Sequence, residues 1–267
     1  MFKEKLLLGQ YYPAASLVHQ LNASCKLLIT IIYMATLFVA NNWYCWSGLL
    51  AICLGAAALS RVPLRSLWRG LRPVLIFCLI TVLLNIFFYP GETLWRWGFI
   101  RVSRGALSQG LAIGLRLVLL VAFASLLTLT TKPIQLTDGL EDLLSILKPL
   151  HVPAHEIAMT MSIALRFIPT LMDEFDRIAL AQRARGAVLD QGNIIRRTLS
   201  LLPLLVPLFV AAFRRAEELA QAMEAKCYRG GQGRTRWKQS SWRFSDSLAL
   251  GIFVLILAGT IVLRCLC

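Results

Sequence analysis

The sequence predicts an all-α fold: a polytopic membrane protein with about five transmembrane helices and a cytoplasmic domain of long amphipathic helices. Three observations carry that expectation. Of 267 residues, 57% are hydrophobic and 16% charged, with a mean hydropathy of +0.65. A soluble domain carries about 25% charged and 45–50% apolar residues. The formal charge is +14, from 28 Lys and Arg against 14 Asp and Glu. On so apolar a chain, that excess suits cations flanking membrane spans better than a nucleic-acid surface. Finally, the charge is unevenly distributed: Lys132 to Asp246 holds 16 basic and 12 acidic residues, and the remainder 12 basic and 2 acidic. An apolar part with basic flanks is joined to a charge-mixed part. The expected domains are 1–131, a membrane domain of four spans; 132–245, a cytoplasmic domain; and 246–267, a final span.

Met1 to Gln20 is polar and lacks the apolar centre of a cleavable leader, so none is expected. Leu27 to Ser60 runs 34 positions without a charge, more than the ~20 residues one span needs. Asn41 and Asn42, followed by Trp43 and Tyr44, predict a turn at the membrane surface between helices over 26–41 and 45–60. Arg61, Arg65, Arg69 and Arg72 form a loop without acids, which the positive-inside rule places in the cytoplasm together with the N-terminus. A third helix runs from Pro73 to about Tyr89 and ends at Pro90 and Gly91. Glu92 to Arg104, short and Trp-rich, lies outside. A fourth helix over 106–130 returns, opening on a ridge of small residues (Ala106, Gly110, Gly114) that permits close helix packing. Chance in a Gly- and Ala-rich segment remains the alternative for that ridge. Arg116 is costly in lipid and is expected to face protein or snorkel toward an interface.

After Thr131 the character changes. Pro133, Pro149 and Pro153 bracket a short helix, Leu136 to Lys148. Ala154 to Gly186 then repeats apolar residues at three and four spacing (Ile157, Met161, Leu165, Ile168, Met172, Phe175). At 1.5 Å per residue it reaches about 50 Å. A second long stretch covers Asn193 to Tyr228. Its uncharged part, Thr198 to Phe213, has 16 residues, too few to span, and reads as a helix against the membrane surface with its apolar half buried in protein. Gly230, Gly231, Gly233, Arg234, Arg236, Lys238 and Arg243 form a cytoplasmic linker. Ser247 to Leu263 is long enough to cross, which puts the C-terminus outside.

Little in this chain suits catalysis. Its seven cysteines include no C-x-x-C pair, against both a disulfide framework and a zinc site. Buried free thiols behave as small apolar residues, and Cys265 and Cys267 form no prenylation box. His151 and His155 are four apart but have no third ligand, so no metal or catalytic set is expected. There is no P-loop, so the chain does not hold ATP by that motif. Beyond Asn85 and Arg116 the spans carry few polar groups, which leaves a membrane-embedded enzyme as the weaker alternative.

The two long helices end alike. Ala181, Ala184, Arg185 and Gly186 align with Ala222, Ala225, Lys226 and Cys227, 41 residues later: Ala-x-x-Ala, a cation, a small residue. An ordinary helix stop explains either site alone, since a cation in the last turn and a following Gly both suit a helix C-terminus. Two such ends also suit two plugs entering two similar grooves of a partner.

These motifs, with Val18, His19, Leu21, Asn22 and Lys26 ahead of the first helix and the Ala164 to Pro169 segment, resemble the transmembrane T component (EcfT) of energy-coupling factor (ECF) transporters, a branch of the ABC transporters. The resemblance spans nearly the whole chain. It implies that Ala184, Arg185 and Gly186, and Ala225, Lys226 and Cys227, lie on two cytoplasmic coupling helices that dock into two ABC ATPase subunits, a heterodimer of which would match two unlike tips. Lys226 and Cys227 depart from the family's Ala-Arg-Gly, and Lys lacks the bidentate fork of Arg. The resemblance further implies a membrane-embedded substrate-binding S component on the apolar coupling-helix surface, which Pro203 and Pro207 are expected to bend. No cofactor is bound by this chain; ATP and Mg belong to the ATPases. Import of a vitamin or other micronutrient is the implied activity, with a T component dedicated to cobalt or nickel as the alternative.

Overall fold

A computed structural model describes residues 11–88, 93–97, 100–145, 153–187, 199–230 and 242–266. The expected turn at Pro90 and Gly91, the helix end at Lys148, His151, the start of the second long stretch at Asn193, and the linker residues Gly231, Gly233, Arg234, Arg236 and Lys238 lie outside the described residues, as does Cys267. The described residues divide into two compact units, one built from 11–143 with 242–266 and the other from residues between 144 and 230. The second holds two long helices, α7 (Ala154–Ala184) and α8 (Leu202–Ala225).

The first unit contains α1 (Leu17–Gln20), α2 (Ala23–Val39), α3 (Trp43–Ser60), α4 (Leu64–Phe88), α5 (Arg104–Thr130), most of α6 (Pro133–Ser145) and α9 (Phe244–Leu266). Among the described residues, four helices are long and apolar enough to cross a bilayer: α3, α4 over Arg65–Asn85, α5 over Ser108–Thr130, and α9. The fifth expected span, α2, has 17 residues, about 26 Å of helix. Its fully buried Tyr33 donates from its hydroxyl to the Leu49 carbonyl of α3 at 3.0 Å, tying the two arms of the expected hairpin. Trp43 and Tyr44, both exposed, sit at the turn between them, where interfacial aromatics belong.

Two local readings are corrected. The basic run from Arg61 to Arg72 is mostly helix, not loop. Ser66 N donates to Pro63 O and α4 starts at Leu64, as a proline at a helix start favours. Arg65, Arg69 and Arg72 follow helical spacing along one stripe, while Leu67 and Leu71 on the other side pack against the core; that amphipathic split draws the run into the helix. Pro73, the expected helix start, lies inside α4. The segment after Glu92 is an antiparallel hairpin, β1 (Thr93–Trp97) with β2 (Ile100–Ser103), pairing Trp95 with Val102 and Trp97 with Ile100. Aromatic and β-branched residues in alternation favour that outcome.

α6 packs within the first unit, although the charge change at Thr131 groups it with the chain that follows. Gly139 lies so close to the start of α2 that a Cβ there would meet Ser24 N at 2.9 Å. Ser24 Oγ donates to Asp142 Oδ2 at 3.0 Å.

A buried polar knot joins the ends of α2, α5 and α9. The Asn22 side chain caps α2 by accepting from Ser24 N. Asp246, 1% exposed, accepts from Arg243 N at 2.8 Å at the start of its own helix and from Asn22 N at 3.0 Å at the start of α2. One carboxylate therefore satisfies donors at two helix N-termini, where the helix dipoles favour negative charge. Lys26, 6% exposed, donates from Nζ to the Thr130 carbonyl ending α5 at 3.1 Å, to His19 O at 3.3 Å and to Thr131 Oγ1 at 3.4 Å. Burial, with the Lys26 charge nearby, pushes the His19 imidazole below its ordinary pKa. The neutral ring then donates from Nε2 to Tyr12 O at 3.0 Å, which leaves Nδ1 to accept from Ser16 Oγ at 2.7 Å.

Beyond the knot the core is aromatic. Tyr33 stacks on Phe123 with centroids 4.0 Å apart, and Phe253 meets both rings edge-on, joining α2, α5 and α9. The small-residue ridge on α5 receives α4: a Cβ on Gly110 would touch Asn85 and Val82, and one on Gly114 would meet Cys78 Sγ at 2.5 Å. Arg116 faces protein, with its guanidinium over Trp46 and Phe38 at 5.1 and 5.6 Å and Nη2 reaching Ala40 O at 3.5 Å. Its Nε is buried without an acceptor among the described residues.

Gly114→Leu is expected to cost about 2 kcal/mol by overpacking the α4–α5 contact; thermal unfolding in detergent reads the loss, with Gly48→Leu, in open space, as the neutral control. Asp246→Ala strands the buried Asn22 N–H and the partly buried Arg243 N–H and should cost about 2 kcal/mol, with Asp246→Asn intermediate because it keeps one acceptor oxygen.

Candidate functional site

The second unit is built on α7 and α8. α7 runs 31 residues through Pro169, and α8 runs 24 residues. Glu174 Oε2 lies 3.8 Å from Arg215 Nη2, and Tyr228 donates from its hydroxyl to Met159 Sδ at 2.9 Å. Moving forward along α7 from Met159 to Glu174 thus moves backward along α8 from Tyr228 to Arg215. The helices run antiparallel, and their C-terminal tips lie at opposite ends of the pair. From the level of Met159 to Arg185 is about 39 Å along α7.

Both tips close by the same hydrogen bonds, offset by 41 residues. Arg185 N donates to Ala181 O at 3.1 Å and Lys226 N to Ala222 O at 3.2 Å. Gly186 N donates to Arg183 O and Cys227 N to Glu224 O, at 3.0 and 2.8 Å. Ala187 N reaches Gln182 O at 2.9 Å, and Tyr228 N reaches Met223 O at 3.0 Å. Each end is a Schellman motif, with the cation at the cap and the next residue left-handed: Gly186 at φ 85° and Cys227 at φ 54°. Glycine takes that conformation freely, whereas a cysteine there is strained by its Cβ. Ala184, Arg185, Gly186, Ala225, Lys226 and Cys227 are all exposed. The small residues clear the surface around each cation, so a partner's backbone or carboxylates can approach the charge closely.

Of the two prolines expected to bend the α8 surface, Pro203 falls in the first turn, where its missing N–H has no helical acceptor to lose. Only Pro207 lies inside the helix and leaves a carbonyl, that of Pro203, without its helical donor. The apolar half of α8 is also not buried by this chain. Leu202, Leu205, Val206, Phe209, Val210 and Phe213 recur at three and four spacing on one exposed face, while Leu204 on the opposite face is buried. An unpartnered apolar face of this kind marks a contact surface for lipid or protein. The three and four spacing is readable in the sequence, and the structure adds that this chain leaves the face uncovered. The upstream segment from Val18 to Lys26 resolves into the polar knot, and Ala164 to Pro169 lies in mid-α7. Among the described residues no group of three or more His, Cys, Asp or Glu is placed to hold a metal ion.

Apolar helices long enough to cross a bilayer, with a pair of long helices that end in matched exposed tips, define a polytopic all-α membrane protein. Comparison with known proteins agrees. The CbiQ family model, described as cobalt transport protein, matches residues 14–237. Proteins named energy-coupling factor transporter transmembrane protein EcfT are similar over almost the whole chain. That of Thermanaerovibrio acidaminovorans is 49% identical over 264 residues, covering 98% of this chain and 97% of the relative. That of Acidaminococcus fermentans is 48% identical over 255 residues (94% and 95%), and that of Bacillus subtilis 44% over 262 residues (98% and 99%). The chain belongs to this family of energy-coupling factor transporter transmembrane proteins.

The left-handed positions give a direct check of the tips. Gly186→Ala is expected to weaken the α7 end by about 1 kcal/mol and Cys227→Gly to strengthen the α8 end by a similar amount, read as opposite changes in amide exchange at residues 182–187 and 223–228.

Proposed function

We propose that this chain is the coupling subunit of an ATP-driven importer: it carries movement from two partner ABC ATPases to a membrane-embedded substrate-binding S component for vitamin or micronutrient uptake. The observation that carries the reading is the pair of matched tips at opposite ends of one antiparallel helix pair. Two like plugs about 40 Å apart fit a partner with two like grooves, which a pair of ATPases offers. Arg185 and Lys226 enter those grooves, and closure of the ATPases displaces the two ends of the α7–α8 pair. The exposed stripe from Leu202 to Phe213, with Pro203 and Pro207 beside it, is the surface for the S component, and its movement reorients that component in the bilayer.

In this reading the subunit is not itself catalytic. ATP and Mg bind the partners, no cofactor binds here, and nucleic acid is not a partner. The N-terminus and the α7–α8 unit lie in the cytoplasm, on the side of Arg61, Arg65, Arg69 and Arg72. The family model's description as cobalt transport protein favours a second reading, a subunit dedicated to cobalt or nickel import. Pull-down of the intact chain separates the two: several different small membrane proteins with two ATPases support the shared vitamin module, and a single dedicated partner supports the metal reading.

Arg185→Glu is expected to abolish co-purification with the ATPases while membrane insertion persists. Retention of complex and transport after that change would overturn the docking assignment. Lys226→Glu should give a smaller loss, seen as reduced ATP-driven uptake in proteoliposomes.

A further inference from the structure

Two arginines meet where α2 ends, at the end of the first unit away from the basic run. From α5, Arg116 Nη2 donates to the Ala40 carbonyl at 3.5 Å. From the last turn of α9, Arg264 Nη1 donates to the Val39 carbonyl at 3.5 Å. Val39 and Ala40 are consecutive, about 3.8 Å apart at Cα, so both guanidinium groups lie over one short stretch of backbone. Each commits one N–H of its five, at the long limit of a hydrogen bond.

Nothing in the unit balances the two charges. A carbonyl at a helix end suits a nearby cation but does not neutralise two of them. Trp46 and Phe38 hold the Arg116 plane by their ring faces and bring no formal negative charge. Neither arginine has an ion pair among the described residues. The described acids of the unit, Asp138, Glu141, Asp142 and Asp246, lie on α6 and at the start of α9. Both elements pack against the start of α2, about 23 Å from Val39 along that helix.

Depth and surroundings decide what answers the charge. Arg116 lies about 12 Å along α5 from Ser108, where its apolar part begins, and an uncompensated cation in hydrocarbon is costly. Exposed Trp43 and Tyr44 directly follow the end of α2, and such aromatics sit at the level of lipid headgroups. The group that faces the arginines from the membrane is therefore a headgroup, whose fixed anion is phosphate.

We propose that Arg116 and Arg264 together hold the phosphate of an anionic phospholipid in the leaflet opposite the basic run. A phosphodiester accepts from a guanidinium fork on either side. A headgroup that keeps its net negative charge suits two unanswered cations, whereas a choline headgroup carries its own ammonium and gains less there. The site is built from α2, α5 and α9 and stands independently of the tips and their partners.

The test is native mass spectrometry of the full chain, purified from membranes in mild detergent and incubated with equimolar phosphatidylglycerol and phosphatidylcholine of matched chains. The wild type should retain phosphatidylglycerol preferentially. Arg264→Gln and Arg116→Gln should each reduce that preference about fivefold, the worth of one cation near a membrane surface. Arg264 is exposed, so its replacement leaves the core packing in place and gives a result even where Arg116→Gln fails to fold. Arg61→Gln, which removes an exposed cation at the far end of α3, should keep the wild-type preference. No preference in the wild type, an unchanged preference in Arg264→Gln or in folded Arg116→Gln, or an equal loss in Arg61→Gln overturns the proposal. So does release of the retained lipid by excess inorganic phosphate, which would mark a site for a free ion instead of a headgroup.

Discussion

The carboxylate of Asp246 is the contact on which the first unit depends. A helix start leaves backbone donors without partners, and away from water each unpaired donor is costly. Asp246 answers that demand twice, at its own helix through Arg243 N and at α2 through Asn22 N. Lys26, one turn into α2, meets the complementary demand at the carbonyl end of α5 through Thr130 O. Three helices far apart in sequence thus share one set of satisfied termini. The aromatic contacts of Tyr33, Phe123 and Phe253 stack one to two turns deeper on the same three helices, so the register set by the knot fixes which rings meet.

Much of this was legible in the sequence because it rests on long-range composition. Uncharged runs specify spans, and a motif repeated after 41 residues is visible without any structure. Local boundaries were less legible where two rules competed. Arg61 to Arg72 satisfied the positive-inside rule and was read as loop, yet Leu67 and Leu71 opposite the arginines made it an amphipathic helix start. The hairpin of β1 and β2 was hidden by its shortness: four residue pairs are too few for alternation to outweigh the Trp-rich interfacial signal. α6 carries acids that mark it as a surface element, and the close approach of Gly139 to α2 with the Ser24–Asp142 hydrogen bond places it with the apolar unit.

The tips show a similar division. Spacing alone predicted that α7 and α8 end alike, and the hydrogen bonds match pair by pair. What spacing cannot carry is direction: that the helices are antiparallel follows from the Glu174–Arg215 and Met159–Tyr228 contacts, between residues far apart in sequence. Nor does it distinguish an apolar face covered by the chain from one left open, as the stripe from Leu202 to Phe213 is. Pro203 was read for its missing N–H, and its place in the first turn removes the consequence.

The unequal lengths of the spanning helices bear on the lipid around them. α2 ends after 17 residues, and Arg116 and Arg264 reach its last carbonyls, whereas α5 continues to 27 residues. Along their axes α2 measures about 26 Å and the apolar part of α5, the 23 residues Ser108–Thr130, about 34 Å. No bilayer of uniform thickness matches both, so lipid thins beside α2 or the longer pair tilts. A helix of 17 residues set among longer ones asks the bilayer to thin locally where its Ile31 and Phe38 are exposed.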